Sequence, residues 1–165
     1  MRVLLTGMSG AGKSTLVQEL RRRGFEAYDA DDDGFSEPRQ DGRWGWRPDR
    51  VAELLARDRT QPLFFAGCSQ EQAALPFEHR ILLTAPPAVL VERLRRRTTN
   101  PYGASPAERE QVLSDRAEVE PLLRRTADLV LDATVPAPDI PVSSTRIARR
   151  SESPPLKGTV PLGPR

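Results

Sequence analysis

The most constraining feature of this sequence lies near its start. The segment Gly7-Met8-Ser9-Gly10-Ala11-Gly12-Lys13-Ser14-Thr15 directly follows the apolar run Val3-Leu4-Leu5. It fits a pattern of one glycine, four further residues and then Gly-Lys-Ser/Thr. In that arrangement a buried strand leads into a loop whose backbone amides surround a polyphosphate, and the next helix presents its N-terminus to the anion. The segment therefore predicts a strand–loop–helix unit that binds a nucleoside triphosphate.

The residues of this loop have distinct expected roles. Glycine at three positions allows backbone angles and a close approach that a side chain would prevent. Lys13 can reach the terminal phosphates, and the Ser14 hydroxyl can hold Mg²⁺ beside them. An ordinary Gly/Ser-rich turn before a helix is the alternative, but the order of strand, loop, lysine and hydroxyl argues against it. We expect the nucleotide to contact Gly7, Ser9, Gly10, Ala11, Gly12, Lys13, Ser14 and Thr15.

Size and composition limit the class of protein. A chain of 165 residues is expected to form one main domain. The mean hydropathy is -0.52, and no apolar stretch approaches the roughly 20 residues that cross a bilayer. The chain enters its first strand at Met1-Arg2-Val3, so we expect no signal or transit peptide. Cys68 is the only cysteine, which favours a reducing, cytoplasmic environment.

Positive charge is concentrated at the C-terminal end. Residues 1–135 contain 20 basic and 21 acidic side chains, whereas residues 136–165 contain 5 and 2. A nearly neutral body lacks the electrostatic footprint of a nucleic-acid-binding protein, so we do not expect a nucleic-acid partner. Residues 136–165 also hold 7 of the 16 prolines and show no helical or strand period. We therefore predict a domain over residues 1–135 and a disordered tail over 136–165.

Short apolar runs alternate with helical patterns along the domain. This alternation favours an α/β fold with three layers and a five-stranded parallel sheet. A loop that carries Trp44 and Trp46 is expected before a helix that begins at Pro48. Ser105 and Glu108 form a capping box at the start of a later helix, which we expect to bend or break at Pro121. The strands are expected at about 2–6, 25–28, 63–66, 81–85 and 129–131.

An acidic run, Asp29-Ala30-Asp31-Asp32-Asp33, follows the second predicted strand. Strand ends in parallel sheets meet at the ligand crevice, so these carboxylates should lie near the phosphates. One carboxylate could hold metal-bound water while another orients an acceptor hydroxyl and accepts its proton. The alternative is a solvated acidic turn. We favour that alternative for Asp32 and Asp33, and a functional role for Asp29 and Asp31.

With these residues the chain resembles the small P-loop kinases of the shikimate kinase, gluconate kinase and adenylate kinase type. It is most similar to short kinase-like ATPases labelled as shikimate kinase-like or AAA-family proteins. The resemblance covers about residues 1–135 and implies a P-loop NTPase fold with a short lid at about 97–108. Tyr28-Asp29-Ala30-Asp31 matches the aspartate-x-aspartate that follows an aromatic residue in the shikimate kinase group. It implies that Asp29 serves the Mg²⁺ water shell and that Asp31 holds the acceptor hydroxyl and acts as base.

The resemblance also implies roles for residues further along the chain. The lid of such kinases supplies an arginine to the transferred phosphoryl group, which implies a catalytic role for Arg97. Arg93 lies on the same helix face, and a solvated basic helix end is the alternative for both. Arg116 occupies the place of a substrate-binding arginine. Asn100-Pro101 departs from the family, whose shikimate kinase lids have an arginine before the proline.

The acceptor side is less well defined by the sequence. The family's third strand ends in a run of glycines that contacts substrate, and in the segment Ala66-Gly67-Cys68-Ser69-Gln70 only Gly67 matches it, so the resemblance implies a substrate contact for Gly67. Ser69 and Gln70 could instead hydrogen-bond a different polar acceptor. Trp46 has two open interpretations: it could stack on a substrate ring, or it could pin a long loop to the body of the protein.

These patterns favour a monomeric kinase that uses ATP and Mg²⁺ to phosphorylate a small molecule at a hydroxyl or phosphate. No Asn-Lys-x-Asp sequence that would read guanine occurs, which favours ATP over GTP. Two other functions stay open. One is a regulatory ATPase that acts on a macromolecular partner, and the other is an ATPase that meets nucleic acid through its basic tail.

Overall fold

A five-stranded parallel sheet lies at the centre of the structure, a computed structural model that describes residues 1–40, 42–98 and 102–140. Its strands lie in the order β2-β5-β1-β6-β7, and every neighbouring pair is parallel. The predicted α/β fold with this sheet is therefore confirmed. In chain order, the described elements are β1 (Arg2–Thr6), α1 (Lys13–Arg22), β2 (Glu26–Asp29), β3 (Ser36–Pro38), β4 (Trp44–Trp46), α2 (Pro48–Ala56), β5 (Leu63–Ala66), β6 (His79–Thr84), α3 (Pro87–Arg96), α4 (Pro106–Thr126) and β7 (Leu129–Asp132).

The segment between β2 and α2 corrects the prediction of a plain loop. β3 and β4 form an antiparallel hairpin there, with Ser36 opposite Trp46 and Pro38 opposite Trp44. Each strand has only 3 residues. An apolar alternation needs a longer run to be recognisable in a sequence, so the pattern alone does not indicate this hairpin.

The helices largely follow their local signals. Ser105 Oγ accepts a hydrogen bond from the Glu108 amide, and the Glu108 carboxylate accepts one from the Ser105 amide, so the predicted capping box starts α4. α4 continues through Pro121 without interruption, so the prediction of a break there is wrong. No helix in the described part of the chain has both the length and the apolar character that a membrane span requires.

Alternating side chains along the strands divide the core between two faces of the sheet. On β1, Val3 and Leu5 belong to a cluster that includes apolar residues of α1, α3 and α4. Leu4, which lies between them, belongs to the second cluster, together with residues of α2 and the indole of Trp46. The strands are therefore buried on both faces, as the continuous apolar runs predict, and the three-layer arrangement follows.

The domain extends beyond the predicted boundary at residue 135. Ala137–Asp139 form one turn of 3-10 helix, and Ile140 is only 4% exposed within the cluster on the α1 side. Arg23 of α1 donates a hydrogen bond to the Pro138 carbonyl. Residues 136–140 thus pack on the body. The predicted tail from 141 to 165, like lid residues 99–101 with Asn100-Pro101, lies outside the described residues.

The two tryptophans of the hairpin should differ sharply in their effect on stability. Trp46 is 2% exposed and its ring lies edge-on to Phe65 at 5.1 Å, whereas Trp44 is 68% exposed. We expect Trp46→Ala to lower the free energy of unfolding by about 3–5 kcal/mol, because it leaves a large cavity. Trp44→Ala is the matched control and should change it by less than about 0.5 kcal/mol. Urea denaturation followed by far-UV circular dichroism measures both, and equal losses would contradict the assigned packing.

Candidate active site

The predicted phosphate-binding loop leaves β1 at the edge where the strands of the sheet end. Gly7 has a φ of 145°, and a Cβ there would lie 2.3 Å from the carbonyl oxygen of Leu83. Gly10 has a φ of 83°, and its Cβ would lie 3.1 Å from the carbonyl oxygen of Leu90. Both positions therefore need glycine. A residue with a side chain is strained at a positive φ, and its Cβ would crowd the backbone of β6 at Gly7 and that of α3 at Gly10.

α1 begins in this loop with an uncapped N-terminus. Gly12, with φ 91° and ψ 18°, precedes the helix, and no side chain accepts from its first amides. Ser14 and Thr15 are exposed, whereas Ala11 is buried and its amide donates to the Met8 carbonyl at 3.1 Å. Open amides at a helix N-terminus bind anions, so the loop and the first helical turn fit the phosphates of a nucleotide.

The Lys13 ammonium lies against the loop and is close to the strand ends beside it. Its Nζ donates to the carbonyl oxygens of Gly7, at 2.7 Å, and Met8, at 3.1 Å. Burial lowers the pKa of Lys13, whereas Cys68, Asp29 and Asp31 act in the opposite direction. β1 and β2 end on the same side of the parallel sheet, so the lysine and the two predicted functional aspartates lie at the same end of it.

The acidic run after β2 forms a turn in which only some carboxylates have structural roles. Asp29 is buried, and its Oδ1 accepts from the amides of Asp31, at 3.1 Å, and Asp32, at 3.5 Å. Asp33 accepts from the Asp29 amide at 2.6 Å and pairs with Arg21 of α1. Asp33 therefore stabilises the turn through these two contacts, a more specific role than the solvated acidic turn that the sequence favours for it. Asp31 is exposed, and its Oδ1 accepts from the Ser36 hydroxyl at 2.7 Å.

Arg97 lies between the phosphate-binding loop and the lid. Its guanidinium donates to Ser9 Oγ, at 3.4 Å, and to the carbonyl of Tyr102. Burial lowers the pKa of Arg97, and the charges of Asp31 and Asp32 oppose that effect. Arg97 therefore joins the phosphate-binding loop to the carbonyl of Tyr102.

Arg93 connects two loops that the sequence does not associate. Its guanidinium donates to the Gly10 carbonyl of the phosphate-binding loop, at 3.4 Å, and to the Ala133 carbonyl that follows β7. Asp132 closes the loop that follows β7, because its carboxylate accepts from the amide and hydroxyl of Thr134 at 2.8 and 2.7 Å. In the sequence, only the spacing of four between Arg93 and Arg97 draws attention to Arg93. That spacing indicates a shared helix face and does not predict that Arg93 connects the two loops.

Gly67 and Trp46, predicted to touch substrate, instead contact each other. A Cβ on Gly67 would lie 2.7 Å from Trp46 Cζ2 and 3.0 Å from the Ala30 Cβ. The indole is buried, so neither of its faces is available to a substrate ring. Of the two interpretations of Trp46, the structure supports the one in which it pins the hairpin to the body, and Gly67 makes room for it.

Ser69 and Arg116 are also engaged by neighbouring side chains. The Ser69 hydroxyl donates to Glu71, which pairs with Arg39 at 2.6 Å. Arg116 pairs at 3.0 Å with Glu120, a residue of α4 that is 7% exposed and accepts from the Thr84 hydroxyl at 2.9 Å. Arg116 therefore helps to join α4 to the end of β6 rather than meeting Asp31. Glu71 and Arg39 were missed because neither belongs to a recognisable motif.

The residues at this site fit Mg²⁺ that is bound mainly through a nucleotide. No group of three or more His, Cys, Asp or Glu residues in the described ranges could hold a metal ion by itself. Mg²⁺ commonly uses one or two protein oxygens together with phosphates and water. The exposed Ser14 hydroxyl and the Asp29 carboxylate supply oxygen donors of that kind, close to Lys13.

Comparison with known proteins agrees with this architecture. Residues 3–114 match the family described as AAA domain. No curated protein sequence matches the chain.

Solved structures of small-molecule kinases share the fold. Shikimate kinase from Acinetobacter baumannii, in complex with shikimate, has a TM-score of 0.61 at 18% identity over 84% of this chain and 87% of that one. A gluconokinase from Sinorhizobium meliloti 1021 has a TM-score of 0.52 at 20% identity over 91% and 88%. Deoxyadenosine kinase from M. mycoides with bound dATP has a TM-score of 0.55 at 12% identity over 83% and 93%. The chain thus has the P-loop kinase fold, as its sequence indicates.

The bridge made by Arg93 predicts a specific loss of nucleotide affinity. Arg93→Met removes charged donors to two loop carbonyls, each worth about 1.5–3 kcal/mol in favourable cases, so we expect ATP affinity to fall about 10- to 100-fold. Arg96→Met on the same helix is the matched control, because Arg96 is exposed and pairs only at the surface with Glu92. Isothermal calorimetry measures both affinities. A similar affinity in the two variants would show that the bridge does not organise the site.

Proposed function

The chain belongs to the AAA domain family, and we propose that it is a phosphotransferase that moves the γ-phosphoryl group of ATP to a hydroxyl or phosphate of a small molecule. The observation that carries the proposal is geometric: Lys13 and Arg97 both hydrogen-bond the phosphate-binding loop, and the exposed Asp31 follows β2 at the same end of the parallel sheet. A binding site for a triphosphate alone would not need an exposed carboxylate beside the lysine.

The loop and α1 hold and orient the nucleotide. The open amides at the start of α1 bind the phosphates, and the flexible side chain of Lys13 carries its ammonium from the loop carbonyls to the terminal phosphates. The Ser14 hydroxyl and the Asp29 carboxylate would hold Mg²⁺ and its water. When bound, the metal neutralises charge on the β- and γ-phosphates.

Asp31 positions the acceptor. Its carboxylate is exposed, and the bond from Ser36 fixes the direction of one oxygen, so the other can accept the acceptor's proton. In the transfer, the acceptor oxygen forms a bond to the γ-phosphorus while the bond from that phosphorus to the bridging oxygen of ADP breaks. The proton of the acceptor passes to Asp31, and the products are ADP and the phosphorylated acceptor.

Arg97 stabilises the charge that develops during transfer. It lies at the end of α3, in contact with Ser9 and with the carbonyl of Tyr102 in the lid. Closure of the lid over the nucleotide excludes water, which strengthens this electrostatic contact. The lid at about 97–108 therefore serves both specificity for transfer over hydrolysis and catalysis.

The setting of this activity is also a proposal. A single exposed cysteine, Cys68, suits a reducing compartment, so we place the enzyme in the cytoplasm. We propose that it acts as a monomer on a small-molecule partner, since one chain supplies the loop, the aspartate turn and the arginines. No contact of the described residues favours nucleic acid.

Replacement of Asp31 should separate chemistry from nucleotide binding. We expect Asp31→Asn to lower kcat by about 10²- to 10⁴-fold, because it removes the proton acceptor, while ATP affinity changes by less than about threefold. Asp58→Asn is the matched control, because Asp58 is an exposed aspartate between α2 and β5, at the opposite end of the strands from the site. ADP release is measured across a panel of alcohols and phosphate monoesters, beside calorimetry with ATP. Hydrolysis that no acceptor redirects, or that a protein partner alone stimulates, would instead support a regulatory ATPase.

A further inference from the structure

The segment that follows β5 forms the floor between the aspartate turn and the phosphate-binding loop. β5 lies between β2 and β1 in the sheet. The Ala30 amide donates to the Ala66 carbonyl at 2.8 Å, and the Gly67 amide donates to the Leu5 carbonyl at 3.0 Å. An acceptor that reaches from Asp31 towards a phosphate on the loop must therefore lie over residues 67–72, which we call the floor.

Arginines of the hairpin that approach the floor are already paired with carboxylates. Arg39 pairs with Glu71 at 2.6 Å and also donates to the Trp46 carbonyl. Arg47 pairs with Glu37 at 3.1 Å, and Glu37 lies 3.7 Å from Arg39. Burial raises the pKa of Glu71, but bonds from Ser69 and Arg39 outweigh it, so this carboxylate stays charged. Arg39 and Arg47 are therefore neutralised by carboxylates of the floor and the hairpin, and neither is an unpaired cation that would attract an anionic acceptor.

On the side of the acceptor space opposite the floor, carboxylates of the aspartate turn lie without such ion pairs. In the described part of the chain, Arg21 forms an ion pair with Asp33, and no ion pair involves Asp29, Asp31 or Asp32. Lys13 and Arg97 face these carboxylates, but both belong to the phosphate side of the site. When Lys13 and Arg97 contact the nucleotide phosphates and Asp29 serves Mg²⁺, an acceptor with its own carboxylate or phosphate would meet the remaining negative charge of Asp31 and Asp32. At an effective dielectric constant of about 20, the repulsion from one like charge at about 6 Å lowers the affinity for a charged acceptor about 100-fold.

Arg50, the remaining arginine near the turn, is directed elsewhere. It donates to the Gly34 carbonyl at 2.9 Å, and its guanidinium lies 5.4 Å from the centre of the Phe35 ring. Phe35 belongs to the cluster that packs on the α2 side of the sheet. Arg50 thus supports the outer side of the aspartate turn.

We propose that the acceptor of this enzyme is an uncharged polyhydroxy compound, and that the Arg39–Glu71 pair is the specificity determinant that excludes the corresponding carboxylate or phosphate. This inference rests on the proposed phosphoryl transfer and names its substrate class. Glu71 acts through Arg39, whose charge it neutralises, so Glu71 is a specificity residue and takes no part in the transfer itself.

The charge of the floor can be measured without any phosphoryl transfer, because Cys68 lies on it. Cys68 is exposed and is the chain's only cysteine, so alkylation reports on this position alone. Neutral iodoacetamide and anionic iodoacetate should differ in rate. Mg²⁺ and ADP are present to occupy Lys13. Under these conditions we expect the ratio of the iodoacetamide rate to the iodoacetate rate to exceed the same ratio for a small peptide thiol by at least about tenfold. A ratio equal to or below that of the peptide would overturn the inference.

Variants test the role of the pair itself. Glu71→Gln should lower the ratio at least about threefold, because it releases the charge of Arg39. Glu53→Gln, on the exposed face of α2, is the control and should leave the ratio unchanged. Arg50→Gln should leave it unchanged as well, and a clear rise would show that Arg50 provides an anion site, contrary to the inference. If Glu71→Gln does not fold, the wild-type ratio still decides.

An acceptor panel tests the substrate class directly. ADP release is measured with glucose, gluconate and glucose 6-phosphate, and with glycerol, glycerate and glycerol 3-phosphate. Within each set we expect kcat/KM to be at least about 100-fold higher for the neutral compound. A preference for a charged member overturns this inference but leaves phosphoryl transfer intact. If no acceptor is phosphorylated, the proposed function and its substrate class fail together, while the alkylation ratio still reports the charge of the floor.

Discussion

The turn at Gly7 is the constraint on which the rest of the site depends. β1 is hydrogen-bonded between β5 and β6, and the chain can leave it toward the phosphate-binding loop only by passing against the Leu83 carbonyl of β6. A φ of 145° and a space too small for a Cβ make this possible for glycine alone. The loop is thereby fixed against α3, which follows β6, carries Arg93 and ends directly before Arg97. The position of the phosphates is thus set by backbone geometry in the middle of the sheet.

α1 transmits this position to the acceptor side. The helix begins in the loop, and near its other end Arg21 donates to the Ala27 carbonyl at 2.9 Å and pairs with Asp33. Asp33 in turn accepts from the Asp29 amide. A rigid helix therefore links the residues that bind phosphate to the turn that presents Asp31. In the proposed transfer, this linkage would keep the phosphate-binding loop and Asp31 at a fixed separation, which proximity catalysis requires.

The sequence predicts those parts of the molecule that depend on neighbours along the chain. The phosphate-binding loop, the apolar strands and the capping box at Ser105 are local patterns, and each is found where expected. Parts that depend on distant partners could not be read in the same way. Arg39 and Glu71 are 32 positions apart, and Arg93 and the Ala133 carbonyl are 40 apart. Trp46 has the chemistry of a substrate-binding residue, yet its ring packs on Phe65, which lies 19 positions further along the chain, and is buried there.

The fate of the γ-phosphoryl group tests the central claim most directly. Phosphorus-31 NMR of the protein with ATP, Mg²⁺ and a panel of neutral polyols distinguishes a phosphate ester from inorganic phosphate. We predict that ADP and one phosphate ester appear in equal amounts, because Asp31 and Arg97 direct the group to an acceptor. Release of inorganic phosphate alone, at a rate that no small acceptor changes, would contradict phosphoryl transfer as the function of this site.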